Sequence, residues 1–217
     1  MHQLVTDRYK IPTTLVSHWK KSSFDMNTVS LLVATDSNWV DVVMNDFNSF
    51  LIDHAGAEKK ASGMALSMAL HFRDKQRLVK EMIDLSIEEL QHFRECVRLM
   101  HERGLSLPPD EKDPYVNDLR RVMRQGKTER LIDRLLVGGI IEARGHERFA
   151  MVEQALPEGD LKHFYHAISC SEDKHQTLFL DLAHEYFHAN EVETRLNELL
   201  DIEAELVRSL PARAALH

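Results

Sequence analysis

The chain has little of what many fold and function classes require. Two cysteines, Cys96 and Cys170, stand in 217 residues. They show no zinc-ligand spacing and no disulfide framework, and they suit a reducing compartment. Eight glycines and six prolines supply few turn signals, which weighs against a fold of many short strands. No apolar run approaches the roughly 18 residues of a membrane span. Met1-His2-Gln3-Leu4-Val5-Thr6-Asp7 carries no apolar core of a secretory signal. The expectation is a cytoplasmic protein with no membrane partner. No Rossmann glycine fingerprint, flavin motif or C-x-x-C rubredoxin module appears. Any electrons for redox chemistry must then come from outside the chain. Basic excess is lacking too. The formal net charge is −8, which argues against nucleic-acid binding by the whole surface and leaves a local basic patch open.

What is present is helical. The chain is 43% hydrophobic and 29% charged, and long enough to bury a substantial core. Residues 1–36, with Pro12, Thr13, Thr14 and the Ser22-Ser23 pair, read as loop with a short helix or two, a capping segment without assigned chemistry. Asp36-Ser37-Asn38 supplies N-cap residues for a first long helix from Trp39 to about Phe72. Asp74 can cap a second, with Leu78, Met82, Leu85, Glu89, His92, Cys96 and Leu99 on one stripe and Gly104 as its stop. Pro108-Pro109 breaks the chain, and Pro114 opens a short helix to Gln125. Thr128 can cap a third long helix, running to about Leu156. Pro157-Glu158-Gly159-Asp160 is a turn before a fourth, Leu161 to Phe187. Asn190 to Leu210 forms a C-terminal helix, and the tail past Pro211 reads as frayed. The fold class is all-α: a ferritin-like four-helix bundle with one long crossover between the second and third long helices. The domain reading is one unit over 1–217, with the bundle at 37–187 and the C-terminal helix at 190–210.

Within this frame Glu-x-x-His occurs three times, at Glu89/His92, Glu172/His175 and Glu185/His188. Residues three apart share one helix face, so carboxylate and imidazole can address one metal. Register separates two matches from the third. In an antiparallel hairpin, residues at equal depth are mirrored about the turn. The midpoint of Glu58 and Glu89 falls between Arg73 and Asp74, at the first turn. The midpoint of Glu142 and Glu172 is Pro157, at the second. Each lies about 15 residues from its turn, roughly 23 Å at ~1.5 Å per residue. Two glutamates and two Glu-x-x-His pairs thus reach one level, the ligand set of di-iron and di-manganese carboxylate bundles. The third pair lies near a helix end and reads as solvated. Four carboxylates buried together are costly without cations, and two divalent ions would compensate them. Ligation without thiolate suits iron or manganese. Such a centre can oxidise a C–H bond with dioxygen, store iron or remove peroxide.

Four local stretches then match a known pattern. They are His54-Ala55-Gly56-Ala57-Glu58-Lys59-Lys60, Glu88-Glu89-Leu90-Gln91-His92-Phe93, Ile141-Glu142-Ala143-Arg144-Gly145-His146-Glu147-Arg148-Phe149 and Ser171-Glu172-Asp173-Lys174-His175. Together they resemble the MiaE family of bacterial tRNA hydroxylases, over roughly residues 40–205. The resemblance implies a ferritin-like, oxygen-dependent non-haem di-iron monooxygenase. Its implied substrate is the isopentenyl side chain of 2-methylthio-isopentenyl-adenosine beside the tRNA anticodon. It implies two iron ions held by Glu58, Glu89, His92, Glu142, Glu172 and His175, with dioxygen as co-substrate. Electrons would come from a reductase or ferredoxin-like partner. The protein is expected as a monomer or small homo-oligomer. Gly145 and His146 depart from the family pattern.

Several residues keep two readings. The basic stretch Arg120, Arg121, Arg124, Lys127 and Arg130, followed by Arg134, is an RNA-docking patch or a solvated face neutralised by Asp118, Glu129 and Asp133. Arg144 and Arg148 pair with Glu147 or neighbouring helices, or stand behind Glu142. His146, one turn from Glu142, touches the site, or supports it from behind or lies at the surface. Tyr165 lines an oxygen pocket or packs the core. Gly138 and Gly139 permit close helix packing or leave room for a prenyl group.

Overall fold

A computed structural model describes residues 28–217, and the loop expected around Pro12 and Ser22-Ser23 lies outside them. The described residues form seven helices: α1 (Asn38–Asn45), α2 (Phe47–His71), α3 (Gln76–Glu102), α4 (Pro114–Arg121), α5 (Lys127–Ala155), α6 (Asp160–Tyr186) and α7 (Ala189–Ser209). Helices α2 and α3 form one antiparallel hairpin and α5 and α6 the other, with α4 in the crossover between them. This is the ferritin-like bundle. None of the helices among the described residues is long and apolar enough to cross a membrane.

Local chemistry accounts for the ends. Gly104 takes φ 71° past the end of α3, and Leu105 N–H donates to the Met100 carbonyl at 2.9 Å, closing the helix as a Schellman turn. Asp113 accepts from Val116 N–H at 3.1 Å, with Pro114 in the first turn of α4.

Four expectations are corrected. The first long helix is broken at Asp46, whose backbone (φ −138°, ψ 60°) leaves the helical region while its carboxylate accepts from Ser49 N–H and starts α2. Lys75, not Asp74, stands at the N-cap of α3, because Lys75 N–H closes the turn onto the Phe72 carbonyl. Gly126, not Thr128, precedes α5, so Thr128 is already inside the helix. The tail past Pro211 is packed. Trp39 Nε1 donates to the Ala215 carbonyl at 3.1 Å, Leu216 N–H donates to Asp53 at 2.7 Å, and the His217 ring stacks on Tyr115. Ala215 and Leu216 are buried.

Two apolar layers sandwich a polar one. One layer joins Ala65, Met68, Leu78, Met82 and Leu85 to the first half of α5, the second half of α6, and α7. At the other end, Trp39, Phe50, Phe149, Tyr165 and Ile168 form one cluster, and Leu51, Cys96 and Met100 another. At about 25 cal/mol per Å² of apolar surface, these layers supply the driving force that lets the bundle hold charged groups between them.

Candidate metal centre

All six residues from the mirrored register come together between the apolar layers. Donor atoms of Glu58, Glu89, His92 and Glu172 lie within 4.8 Å of one another. So do those of Glu89, Glu142, Glu172 and His175. The two sets share Glu89 and Glu172. Each set could hold one cation, with Glu58 and His92 particular to the first set and Glu142 and His175 to the second. All four glutamates and His175 are buried, while the His92 side chain is 15% exposed.

The ring nitrogens are already sorted. His92 Nδ1 is 3.1 Å from Glu89 and 3.6 Å from Glu58. His175 Nδ1 is 3.0 Å from Glu89 Oε1 and 3.5 Å from Glu172. Yet Glu89 Oε1 and His175 Nδ1 are buried without a hydrogen bond, since the angles between them do not suit one. Two orphaned donor atoms facing each other suit ligands aimed at a common cation. The donor set therefore fits a pair of metal ions: oxygen and imidazole donors, no thiolate, and four carboxylates whose charge two divalent ions would balance.

Electrostatics carry the signature of a site built for cations. Burial, with the charge of Glu89 and Glu172 beside it, pushes the Glu58 carboxyl well above its usual range. Burial and the Glu172 charge do the same to Glu142. Burial alone would lower His92, but the carboxylates of Glu58 and Glu89 overcome it and hold the imidazole up at about 10. Glu89 also resists burial, held below the usual range by His175 and His92. Without metal, protons on the imidazoles and carboxylates supply the missing positive charge.

A ring of outer partners was not read from the sequence. His54 is fully buried; its Nε2 lies 2.6 Å from Glu58 Oε1 and its Nδ1 3.3 Å from the Tyr165 hydroxyl. Its signal was available, because His54 and Glu58 are four apart on one helix face. Glu88 Oε2 lies 3.4 Å from His175 Nε2, and Ser171 donates to Glu88 at 2.5 Å. Only the cross-helix register would have revealed that pair. Tyr165 packs against Phe47, Phe50, Phe149 and Phe164, so it is core with its hydroxyl turned to His54.

Other residues lie elsewhere. Arg144 is fully buried but faces away from Glu142. Its Nη2 donates to Glu203 at 2.7 Å and to the Val33 carbonyl at 2.7 Å, and it also pairs with Glu147. Arg148 donates to Thr35 at 3.1 Å and to the Leu216 carbonyl at 2.5 Å. These arginines pin α7, residues 33–35 and the C-terminal tail onto α5. His146 Nδ1 sits 2.8 Å from the Ser169 carbonyl, where it can donate across to α6. A Cβ on Gly138 would meet the Phe179 ring at 2.8 Å, so that glycine serves close packing and leaves no room for a prenyl group. Glu185 of the third Glu-x-x-His pairs with Arg77, and His188 stands exposed before α7.

The basic stretch divides. Arg121 pairs with Asp118, and Arg124 donates to buried Asp133 at 2.7 Å. Arg120, Lys127 and Arg130 are exposed. Burial lowers the Arg134 guanidinium, and Arg130 and Arg120 lower it further, so those three cations share one neighbourhood.

Comparison with known proteins decides the family. The family described as tRNA-(MS[2]IO[6]A)-hydroxylase (MiaE) matches residues 24–217. The chain belongs to the MiaE family. The match begins at residue 24, upstream of the region from about residue 40 that the local stretches marked, so part of the N-terminal segment is family sequence. The chain is 36% identical to a tRNA 2-(methylsulfanyl)-N(6)-isopentenyladenosine(37) hydroxylase from Pseudomonas putida, over 81% of this chain and 85% of that protein. A Salmonella typhimurium protein of the same name is 32% identical over 62% of this chain and 49% of its own length, so the chain spans about half of that MiaE relative. Among solved structures, a Synechococcus protein with aldehyde deformylating oxygenase activity superposes with a TM-score of 0.82. It is 32% identical and covers 86% of this chain and 94% of its own.

Proposed function

We propose that this chain is an oxygen-dependent di-iron monooxygenase that hydroxylates the isopentenyl group of 2-methylthio-isopentenyl-adenosine next to the anticodon in tRNA. The observation that carries the reading is the pair of overlapping donor sets sharing Glu89 and Glu172. In this reading Glu58 and His92 would hold one iron and Glu142 and His175 the other, with Glu89 and Glu172 available to both. Two iron ions held there would supply dioxygen activation and oxidation of an unactivated C–H bond. The chain's own part is to fix the donors, keep bulk water out between two apolar layers, and balance charge. Residues 1–217 act as one domain for this purpose.

The substrate assignment follows the family and the 36%-identical relative rather than the fold. The Synechococcus neighbour shows that a similar frame serves another oxygenase activity. Arg120, Lys127 and Arg130 are exposed and, with Arg134 beside them, without an ion pair among the described residues, and they offer positive charge for tRNA phosphates, while Arg121 and Arg124 are already engaged within the fold. Electrons come from a separate reductase or ferredoxin-like partner, and the protein works as a monomer or small homo-oligomer.

The test is Glu142→Ala. It should lose bound iron and hydroxylation of isopentenylated tRNA while its far-UV circular dichroism stays helical. Retained turnover would sink the assignment.

A further inference from the structure

Each half of the bundle brings one glutamate and one Glu-x-x-His pair to the same cluster, so residues at equivalent places can be compared. Four residues before Glu58 is His54; four before Glu142 is Gly138. Four residues after His92 is Cys96; four after His175 is Phe179. In the first half the His54 ring lies 3.4 Å from the Cys96 sulfur and 2.6 Å from Glu58. In the second half Gly138 lies against the Phe179 ring, with no space even for a methyl group. The carboxylate ligand is thus tied to a buried imidazole in one half, and its counterpart Glu142 has a glycine at the equivalent place in the other.

The imidazole ligands show the reverse asymmetry. His175 Nε2 lies 3.4 Å from both Glu88 and Ser171, which also bond each other. His92 has no such partner on its outer nitrogen among the described residues, and its side chain is 15% exposed. A carboxylate behind a ligating histidine fixes its tautomer and raises its donor strength.

We propose that His54 and Glu88 are positioning residues that make the two metal positions unequal, with the Glu142/His175 position the tighter. This rests on the two-ion reading above. Glu88, itself half-exposed, strengthens His175 at a position whose own residues, Glu142 and His175, are buried. His54 holds Glu58 Oε1, which leaves Oε2, the oxygen facing His92, for the metal. The Glu58/His92 position depends on that single brace and lies beside the more exposed imidazole. It fills second and empties first. The loss of an outer partner of this kind typically costs about 10- to 100-fold in metal affinity.

Cobalt(II) provides the test, because its visible absorption reports ligand geometry without turnover. Metal-free full-length protein is titrated with cobalt(II) against a competing chelator. Wild type should fill in two steps at least about tenfold apart. Glu88→Gln, which keeps a hydrogen-bonding side chain but removes the charge, should weaken the tighter step about tenfold and leave the other unchanged. His54→Phe should weaken only the looser step by a similar factor. Phenylalanine suits the surrounding aromatic cluster of Phe50, Phe149 and Phe164, so the bundle should stay folded. His54→Gln, which can still donate to Glu58, should restore part of the loss. Two equal steps in wild type, or both variants weakening both steps alike, would overturn the inequality while leaving the two-ion centre standing. No cobalt bound at all would overturn the centre itself.

Discussion

Arg144→Met tests whether the stretch Glu142 to Phe149 is divided between chemistry and architecture. Glu142 faces the metal centre, whereas the guanidinium two residues on faces α7. Arg144 and Glu203 are both fully buried. Glu203 Oε1 accepts from Arg144 Nε at 2.9 Å, from Arg144 Nη2 at 2.7 Å and from the Tyr115 hydroxyl at 2.9 Å. Methionine has a similar length but no donor and no charge. It leaves Glu203 buried with the tyrosine alone, and Thr35 and the Val33 carbonyl lose a donor. Removing one partner of a buried ion pair costs about 3–5 kcal/mol. Against a total stability of about 5–15 kcal/mol, that is a large fraction. Glu203→Gln should cost less, because Glu147 still supplies Arg144 with a carboxylate. Urea unfolding followed by circular dichroism measures both. Iron content per folded chain should be unchanged in Arg144→Met at low temperature. Unaltered stability together with lost iron would refute the division, because it would place Arg144 at the site rather than in the frame.

Three further outcomes are expected. Gly138→Ala should destabilise by about 1–3 kcal/mol, read as a lowered Tm, because its Cβ would stand 2.8 Å from the Phe179 ring. Replacing Arg120, Arg130 and Arg134 together with Ala should weaken tRNA binding and flatten its dependence on salt, whereas Arg121→Ala should change neither, since Arg121 is paired with Asp118. In metal-free protein, His92 is raised from 6.5 to about 10 by Glu58 and Glu89 against burial, so its contribution to stability is full below pH 6.5 and lost as pH rises through about 10. Thermal melts should show the metal-free form losing stability over that window more steeply than the iron-loaded form, in which metal takes the place of the proton.

The bundle was readable because each long helix carries a periodic apolar stripe and the two hairpin turns sit where the mirrored carboxylates require them. The meeting of the six proposed ligand residues was readable for the same reason: helix geometry converts spacing along the chain into depth in the bundle. The rest depends on contacts between elements that spacing does not encode. Asp46 breaks the first helix by capping α2 in the midst of a continuous apolar pattern. The tail past Pro211 looks unremarkable as sequence, yet the partners of Ala215 and Leu216, Trp39 and Asp53, lie more than 160 residues earlier in the chain. Arg144 and Glu203 meet only because α7 folds back along α5. Glu88, beside a ligand but on another face, reaches His175 from a helix more than 80 residues away in sequence.

The most direct test of the central claim is oxygen transfer to the nucleoside. Iron-loaded, reduced protein is incubated with dioxygen and tRNA carrying 2-methylthio-isopentenyl-adenosine, and the digested nucleosides are examined by mass spectrometry. The account predicts a nucleoside heavier by one oxygen atom, labelled when the gas is isotopically labelled and absent with Glu142→Ala. An unmodified nucleoside from protein that holds two irons per chain would contradict it.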